Sequence, residues 1–324
     1  MSLLAFGEAL IDFLSNGDTP ETFTKYPGGA PANVTVAYAK LGGKSAFCGM
    51  FGQDMFGDYL LTSLTEHQVD TRYCLQTSKA KTALAFVSLD AHGERSFSFY
   101  RPPAADLLFL ASDFTPQAFI DNRLFHICSN SLTEESIYES TIHGLTLAKT
   151  HQCLRSFDVN LRLNLWESDV LAFERIWQCI HHCDILKLSQ EELDFLLSHR
   201  HEQQESDFIQ QCFKQGVSII MISNGHLPVR YYTANFHGEC QIPTIQVVDT
   251  TAAGDAFVGG MLFKLNQYLN EEKVLNQLVH EQNKLQHIID FATLCGAFAC
   301  TQKGAFPSLP TMEDITLFSQ KRVS

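Results

Sequence analysis

The run VVDTTAAGDAFVGG at 247–260 carries the most chemical information in the chain. Small side chains at Ala252, Ala253 and Gly254 leave backbone N–H groups unshielded where a helix is expected to begin, and a helix N-terminus favours negative charge. The expected ligand is an anion. Asp255, in the first turn, would lie close enough to that anion to take a proton from an attacking hydroxyl, which is general-base chemistry. The plainer reading is that Asp255 only caps the helix and the glycines only permit close packing. Two carboxylates, Asp249 and Asp255, bracketing a run of small residues weigh against it.

A second glycine-rich element, PGGAPAN at 27–33, leads into an expected helix. Gly28 and Gly29 would let the backbone approach a ligand closely, and the Asn33 amide offers a donor and an acceptor suited to vicinal hydroxyls. Taken alone, the run is equally a loop entering a helix. Asn160 and Arg162 follow an expected strand and should emerge at the C-terminal sheet edge. Tyr100 and Arg101 end another strand candidate that is expected to face the same cleft. The alternative fate for such residues is a surface salt bridge. Ser189 and Glu192 have the spacing of a capping box, in even balance with a role for Glu192 near a metal-bound phosphate. Some patterns only imitate chemistry. LGGKS at 41–45 resembles the end of a P-loop, but it precedes a strand and has Tyr38 where the first glycine belongs. No G-x-G-x-x-G occurs, and the cluster from Cys179 to Cys183 has no second ligand pair at zinc-site spacing.

These residues need a frame that gathers them. Short apolar runs at 3–6, 45–50, 124–128, 154–158, 185–188 and 217–222 alternate with segments of helical period near 31–41, 54–67, 133–149, 168–181, 190–198, 204–215, 254–268, 284–301 and 312–320. That alternation predicts an α/β fold with a mostly parallel sheet covered by helices on both faces. Segments 10–26 and 71–101 break the rhythm; the latter holds paired strand candidates at 82–89 and 95–100 around a turn at 91–93. They are expected to form a small antiparallel sheet inserted into one 1–324 domain. In an open α/β sheet ligands sit beyond the C-terminal strand edges, so the insert is placed to act as a lid.

The chain has 324 residues and a net charge of -13. At this size folding removes roughly three quarters of the unfolded surface from water, so the core needs neither disulfides nor a structural metal. A net anion is not attracted at long range to nucleic acid or anionic lipid, so neither is an expected partner. The ten scattered cysteines, most of them inside apolar runs, read as reduced buried thiols. No apolar stretch reaches the ~20 residues that span a bilayer, and the expected location is the cytoplasm.

Together these motifs resemble the ribokinase/PfkB family of sugar kinases over nearly the whole chain. Within the family, GEALID at 7–12, RSFSFYRP at 95–102 followed by Ala105 and Asp106, and DVNLR at 158–162 are most similar to bacterial fructokinases. The resemblance implies a ribokinase-like three-layer sandwich with a β lid, and ATP-dependent phosphorylation of a hexose hydroxyl, with fructose giving the 6-phosphate. It implies that Asp12, Gly28, Gly29 and Asn33 hold sugar hydroxyls and that Tyr100, Arg101, Asn160 and Arg162 shape the acceptor pocket. Asp255 matches the catalytic base, and the backbone of Ala252, Ala253 and Gly254 the anion hole. Lys187, Glu192, Ser223, Gly225 and Gly254 fall on the nucleotide side, with Glu192 linked indirectly to Mg²⁺. Asp249, Thr251, Ala299, Gln302, Gly304 and Ser308 match a monovalent-cation site, usually K⁺. Departures are Ser189, where many members have Asn, Pro228, where glycine is common, and Thr293, near a frequent Asn. A homodimer through the lid sheets is a family expectation. A 2-keto-3-deoxygluconate or nucleoside-type kinase is the alternative within the fold, with Arg101 and Arg162 pairing a substrate carboxylate. A sugar- or nucleotide-binding regulator without catalysis is the alternative outside it.

Overall fold

Strands that are apolar on both faces must be covered on both sides, and this chain covers them with helices. The computed structural model describes residues 2–16, 22–89, 95–101, 103–200, 204–271 and 274–320. Its strands are β1 (Ser2–Phe6), β2 (Leu10–Ser15), β3 (Phe23–Gly28), β4 (Lys44–Gly52), β5 (Asp70–Thr77), β6 (Leu84–Leu89), β7 (Arg95–Tyr100), β8 (Leu124–Cys128), β9 (Leu154–Asp158), β10 (Ile185–Ser189), β11 (Ile219–Asn224), β12 (Leu227–Tyr232) and β13 (His237–Cys240). A nine-stranded sheet runs β13-β12-β11-β10-β9-β8-β1-β4-β5, and a four-stranded sheet runs β3-β2-β6-β7. Neighbours from β11 across to β5 pair in parallel, while β12 and β13 extend one edge antiparallel.

Strand β1 shows why three layers form. Alternate side chains point to opposite faces, so Leu3 and Ala5 enter one core and Leu4 and Phe6 the other. The first core is closed by helices Ala30–Lys40, Ala253–Asn270 and Gln282–Ala299, and the second by Glu135–Thr150 and Asp169–Ile180. From β1 the chain passes to β4 and β5 on one side and then returns to β8 on the other. This reversal of direction opens a crevice beyond the carboxyl ends of β1 and β8.

In the small sheet, the antiparallel pairs β2·β3 and β6·β7 are joined by a parallel pairing of β2 with β6. The expected insert at 71–101 begins too early. Most of its first stretch is β5, which pairs with β4 in the large sheet. As a part-exposed edge strand, β5 lacks the continuous apolar run of its neighbours. Strands β12 and β13 have no counterpart among the sequence candidates for the same reason, since polar residues such as Arg230, His237 and Glu239 interrupt them. The turn at 91–93, residues 17–21 of the first insert, and Pro102 lie outside the described residues. Among the described residues, no helix is long and apolar enough to cross a membrane.

Helices Ala30–Lys40 and Ala253–Asn270 pack closely at Gly259, where an added Cβ would come within 2.6 Å of the Ala37 Cβ. Asn33 and Asp255 stand one turn earlier on the two helices, so this close approach sets their separation. Gly259→Val is therefore expected to cost ~1–3 kcal/mol through overpacking, read as a lower denaturant midpoint. An unchanged midpoint would contradict the tight crossing.

Candidate active site

The crevice is a cleft of about 1710 Å³ lined by residues from both sheets and from the start of helix Ala253–Asn270. Asp255 stands in the first turn of that helix and is buried. The Asn33 Nδ2 donates to its Oδ2 at 2.7 Å. Burial pushes the Asp255 pKa up to about 7, with Asp158 adding to the rise, while the Asn33 hydrogen bond, Lys187 and Arg162 oppose it. The helix is entered through Ala252, which holds a left-handed φ of 60°. That conformation costs an alanine roughly 1–2 kcal/mol and is held by the loop before it. Asp249 Oδ1 accepts from Thr251 N at 2.7 Å and Oδ2 from Gly304 N at 3.0 Å, while Val248 N and Asp249 N both donate to the Cys300 carbonyl. Ala252, Ala253 and Gly254 thus line the cleft on a doubly anchored loop, with the Ala253 N–H donating to the Thr250 carbonyl at 3.3 Å.

Lys187 and Asp158 are register partners on β10 and β9, and the ammonium lies 3.0 Å from Asp158 Oδ1. Burial works against the Lys187 charge, but Asp158, Glu192 and Asp255 more than offset it, and the pKa lies above the ordinary lysine value. Gly254 is the residue beside it: a Cβ there would sit 3.3 Å from Lys187 Nζ. Glu192 completes the capping box, its Oε2 accepting from Ser189 N at 2.6 Å and its own N–H donating to Ser189 Oγ at 3.2 Å. Its Oε1 accepts from Leu161 N at 2.8 Å, which fixes the loop carrying Asn160 and Arg162. Burial raises the Glu192 pKa.

Asp12, Gly29, Asn33, Asn160 and Arg162 all line the cleft, as do Lys187, Glu192 and Ser223. Gly29 has φ 102°, and a side chain there would meet the Glu8 carbonyl at 2.6 Å. Gly28 lies against the Asp12 carboxylate, where a Cβ would collide with it. Three expectations need correction. Tyr100 is 67% exposed and does not line the cleft; alternation along β7 turns Phe99 inward and Tyr100 outward, against Phe86. Arg101 is buried behind the cleft because Asp106 captures it, with Nε and Nη2 2.9 and 2.7 Å from Asp106 Oδ2. Gly225 occupies the turn between β11 and β12 and is not among the lining residues. Thr293 is buried within its helix, donating to the Ile289 carbonyl, and Pro228 lies in β12.

Sequence reasoning missed Glu8 and Asn130, which line the cleft from the loops after β1 and β8. Glu8 stands inside the GEALID segment at 7–12 but was given no role there, and Asn130 belongs to no quoted motif; the signal available was their position just past apolar strands. Of the residues matched to a cation site, Asp249, Thr251 and Gly304 are joined by hydrogen bonds. Ala299 ends its helix, Ser308 Oγ donates to the Ala305 carbonyl at 2.8 Å, and the Gln302 amide lies toward Thr301 Oγ1. Among the described residues, no group of three or more His, Cys, Asp or Glu is arranged to hold a metal.

The burial of Asp255 has a stability consequence. Its folded-state pKa lies above the ordinary carboxylate value, so the proton it retains stabilises the fold fully below about pH 4, and that contribution is lost as pH rises through about 7. Asp255→Asn has no charge to bury. It is expected to exceed the parent in stability at pH 8 by on the order of a few kcal/mol, with the gap narrowing toward pH 5. Denaturant unfolding at the two pH values measures this, and a pH-independent gap would contradict a buried, titrating Asp255.

A family profile described as pfkB family carbohydrate kinase matches residues 1–312. Fructokinase-1 of Oryza sativa subsp. japonica is 38% identical over 319 residues, covering 97% of this chain and 96% of the relative. A fructokinase from Xylella fastidiosa, solved with bound ATP, has a TM-score of 0.93 and 42% identity, covering 100% of this chain and 99% of that one. A fructokinase from Vibrio cholerae O395, in a form with fructose, ADP and calcium ion bound, has a TM-score of 0.86 and 32% identity over 98% of each chain. The fold is the ribokinase-like α/β sandwich with its accompanying small sheet. With a buried acid at a helix N-terminus facing a large cleft, and likeness running the length of the sequence, the chain belongs to the pfkB family of carbohydrate kinases.

Proposed function

We propose that the protein is an ATP-dependent fructokinase, transferring the γ-phosphoryl group to the primary hydroxyl at carbon 6 of D-fructose. The observation that carries this reading is Asp255, buried in the cleft, bonded to Asn33 and adjacent to the amides of 252–254. Phosphoryl transfer asks the protein chiefly to align the reactants and stabilise charge. Asp255 accepts the hydroxyl proton as attack develops, with Asn33 holding the carboxylate in place. The amides of Ala252, Ala253 and Gly254 hold the transferring oxygens, and Lys187 adds a fixed positive charge beside Gly254. Asp12, Gly29, Asn33, Asn160 and Arg162 surround the sugar, with Gly28 outside the lining and packed against the Asp12 carboxylate, and Ser223 lies under the nucleotide.

The donor set suits a divalent ion carried by the nucleotide. Both Glu192 oxygens accept backbone N–H bonds, and the described residues form no acidic cage, so Glu192 would act on Mg²⁺ through water. When bound, Mg²⁺ neutralises the β- and γ-phosphates. A monovalent cation beside Asp249 would draw on its buried carboxylate and on oxygens of Thr251, Ser308 and the 299–304 turn, ligands suited to a hard ion. Its charge would support the loop that carries the anion hole.

Substrate charge favours a neutral ketohexose over an acid. Arg101 is taken by Asp106 and does not reach the cleft, and acids such as Glu8, Asp12, Asp158 and Asp255 outnumber the cations Arg162, Lys187 and Lys303 in the lining. The intact base also argues against a regulator that only binds.

Coupled ADP release with Mg²⁺ and K⁺, across fructose, ribose, glucose, ketodeoxygluconate and adenosine, should be fastest with fructose; a preference for the acid would overturn the assignment. Asp255→Asn should retain fructose binding while kcat falls ~10²–10⁴-fold. In the parent, kcat/KM should rise with pH through about 7 as Asp255 loses its proton. Turnover should also rise when K⁺ replaces a bulky organic cation, and Asp249→Asn should abolish that response; an equal response in the variant would remove Asp249 from the cation site.

A further inference from the structure

Strand β3 leans on the turn that anchors the loop before Ala252, and the contact runs through one ring. Tyr26 is the register partner of Asp12 across the antiparallel pair β2·β3, so the two side chains share a face, and both line the cleft. The Tyr26 ring lies over Gly304. A Cβ built on Gly304, whose φ is 86°, would come within 2.6 Å of Tyr26 Cδ1 and 2.8 Å of Cε1. Further along β3, a Cβ on Gly28 would lie 3.6 Å from the Ala305 Cβ, so the strand meets the turn twice. The turn is tied to the body of the large sheet: the Phe306 carbonyl accepts from Lys40 Nζ at 3.3 Å, at the end of helix Ala30–Lys40. Its Gly304 N–H is the donor that reaches Asp249 Oδ2, while Asp249 Oδ1 holds Thr251 N beside the left-handed Ala252.

A chain of direct contacts therefore joins a sugar-side carboxylate to the phosphate-side loop, by way of one aromatic ring on one glycine backbone. We infer that Tyr26 is a positioning residue that couples the binding of the two substrates. A sugar that touches Asp12 on the small sheet and Asn33 on helix Ala30–Lys40 draws these elements together and seats the Tyr26 ring on Gly304. That contact steadies the N–H on which Asp249 depends, and with it the loop 250–254. Glycine serves at 304 twice, by taking the left-handed φ and by leaving room for the ring. This rests on the sugar-kinase reading and deepens it. Such coupling is reciprocal, so each substrate tightens the other by the same factor.

The probe is β,γ-methylene-ATP with Mg²⁺ and K⁺, titrated calorimetrically with and without saturating fructose. In the parent, fructose should lower its Kd ~5–150-fold. In Tyr26→Ala that factor should shrink to within about twofold, while the Kd measured without fructose stays near the parent's. Tyr26→Phe keeps the ring and should restore the coupling. Asp249→Asn lies further along the same route and should abolish it, so that adding Tyr26→Ala to Asp249→Asn changes nothing more. Tyr26→Thr, β-branched and at home in a strand, serves if the alanine variant does not fold, with thermal melting as the control. Full coupling in Tyr26→Ala, no coupling in the parent, or equal weakening with and without fructose would each overturn the inference, as would additive effects in the double variant. Failure of the fructokinase reading looks different: the parent would release no ADP from ATP with fructose, whatever its affinity for the probe.

Discussion

The structure turns on one carboxylate kept out of water at the start of a helix. Removing a carboxylate from solvent disfavours its charged form, and Asp255 accordingly sits near the pH at which it can both hold and yield a proton. That poise needs a counterweight. The Asn33 N–H, the Lys187 ammonium and Arg162 each favour the anion, and Asp158 pulls the other way. Asn33 can reach Asp255 only because the two helices that carry them are in van der Waals contact one turn further on, at Ala37 and Gly259. A packing constraint between two helices thereby sets a hydrogen-bond length at the reacting acid.

The same logic extends to the loop before the helix. An alanine at φ 60° persists only where its surroundings hold it there, and Asp249 provides this by accepting N–H bonds from Thr251 on its own loop and Gly304 on the opposite one. Lys187 is similarly overdetermined. It lies among Asp158, Glu192 and Asp255, so its position follows from three charges on three different elements. Preorganised charge of this kind needs no rearrangement when a phosphate arrives, which is what makes fixed dipoles effective in catalysis.

How much of this was legible in the sequence depended on how local each cause was. The central strands and their helices were legible because burial on both faces leaves a continuous apolar run. The place of 252–255 at a helix start in the cleft lining was legible because small residues beside an acid mark such a start. Edge strands β5, β12 and β13 left no such run. Arg101 read as a cleft residue because a strand-end arginine usually faces solvent or ligand, yet its partner Asp106 lies only five positions on and withdraws it. Glu8 and Asn130 were invisible for the opposite reason: the contact that gives them meaning spans 122 positions and exists only once β1 and β8 lie side by side.

These placements divide the cleft by hydrogen-bonding sense. Asn33 and Asn130 each commit their N–H groups to a carboxylate, and Asp12 and Glu8 put acceptors in the lining. Around Gly254 the groups are donors: backbone amides at a helix N-terminus and the Lys187 ammonium. A phosphate brings only acceptors and is opposed among the carboxylates, whereas a hydroxyl can donate to them. Specificity built this way draws on refusal as much as attraction. Asp255 stands at the boundary between the two halves, the one group that accepts a hydrogen bond from Asn33 on the sugar side while sharing a helix turn with the amides that face the phosphate.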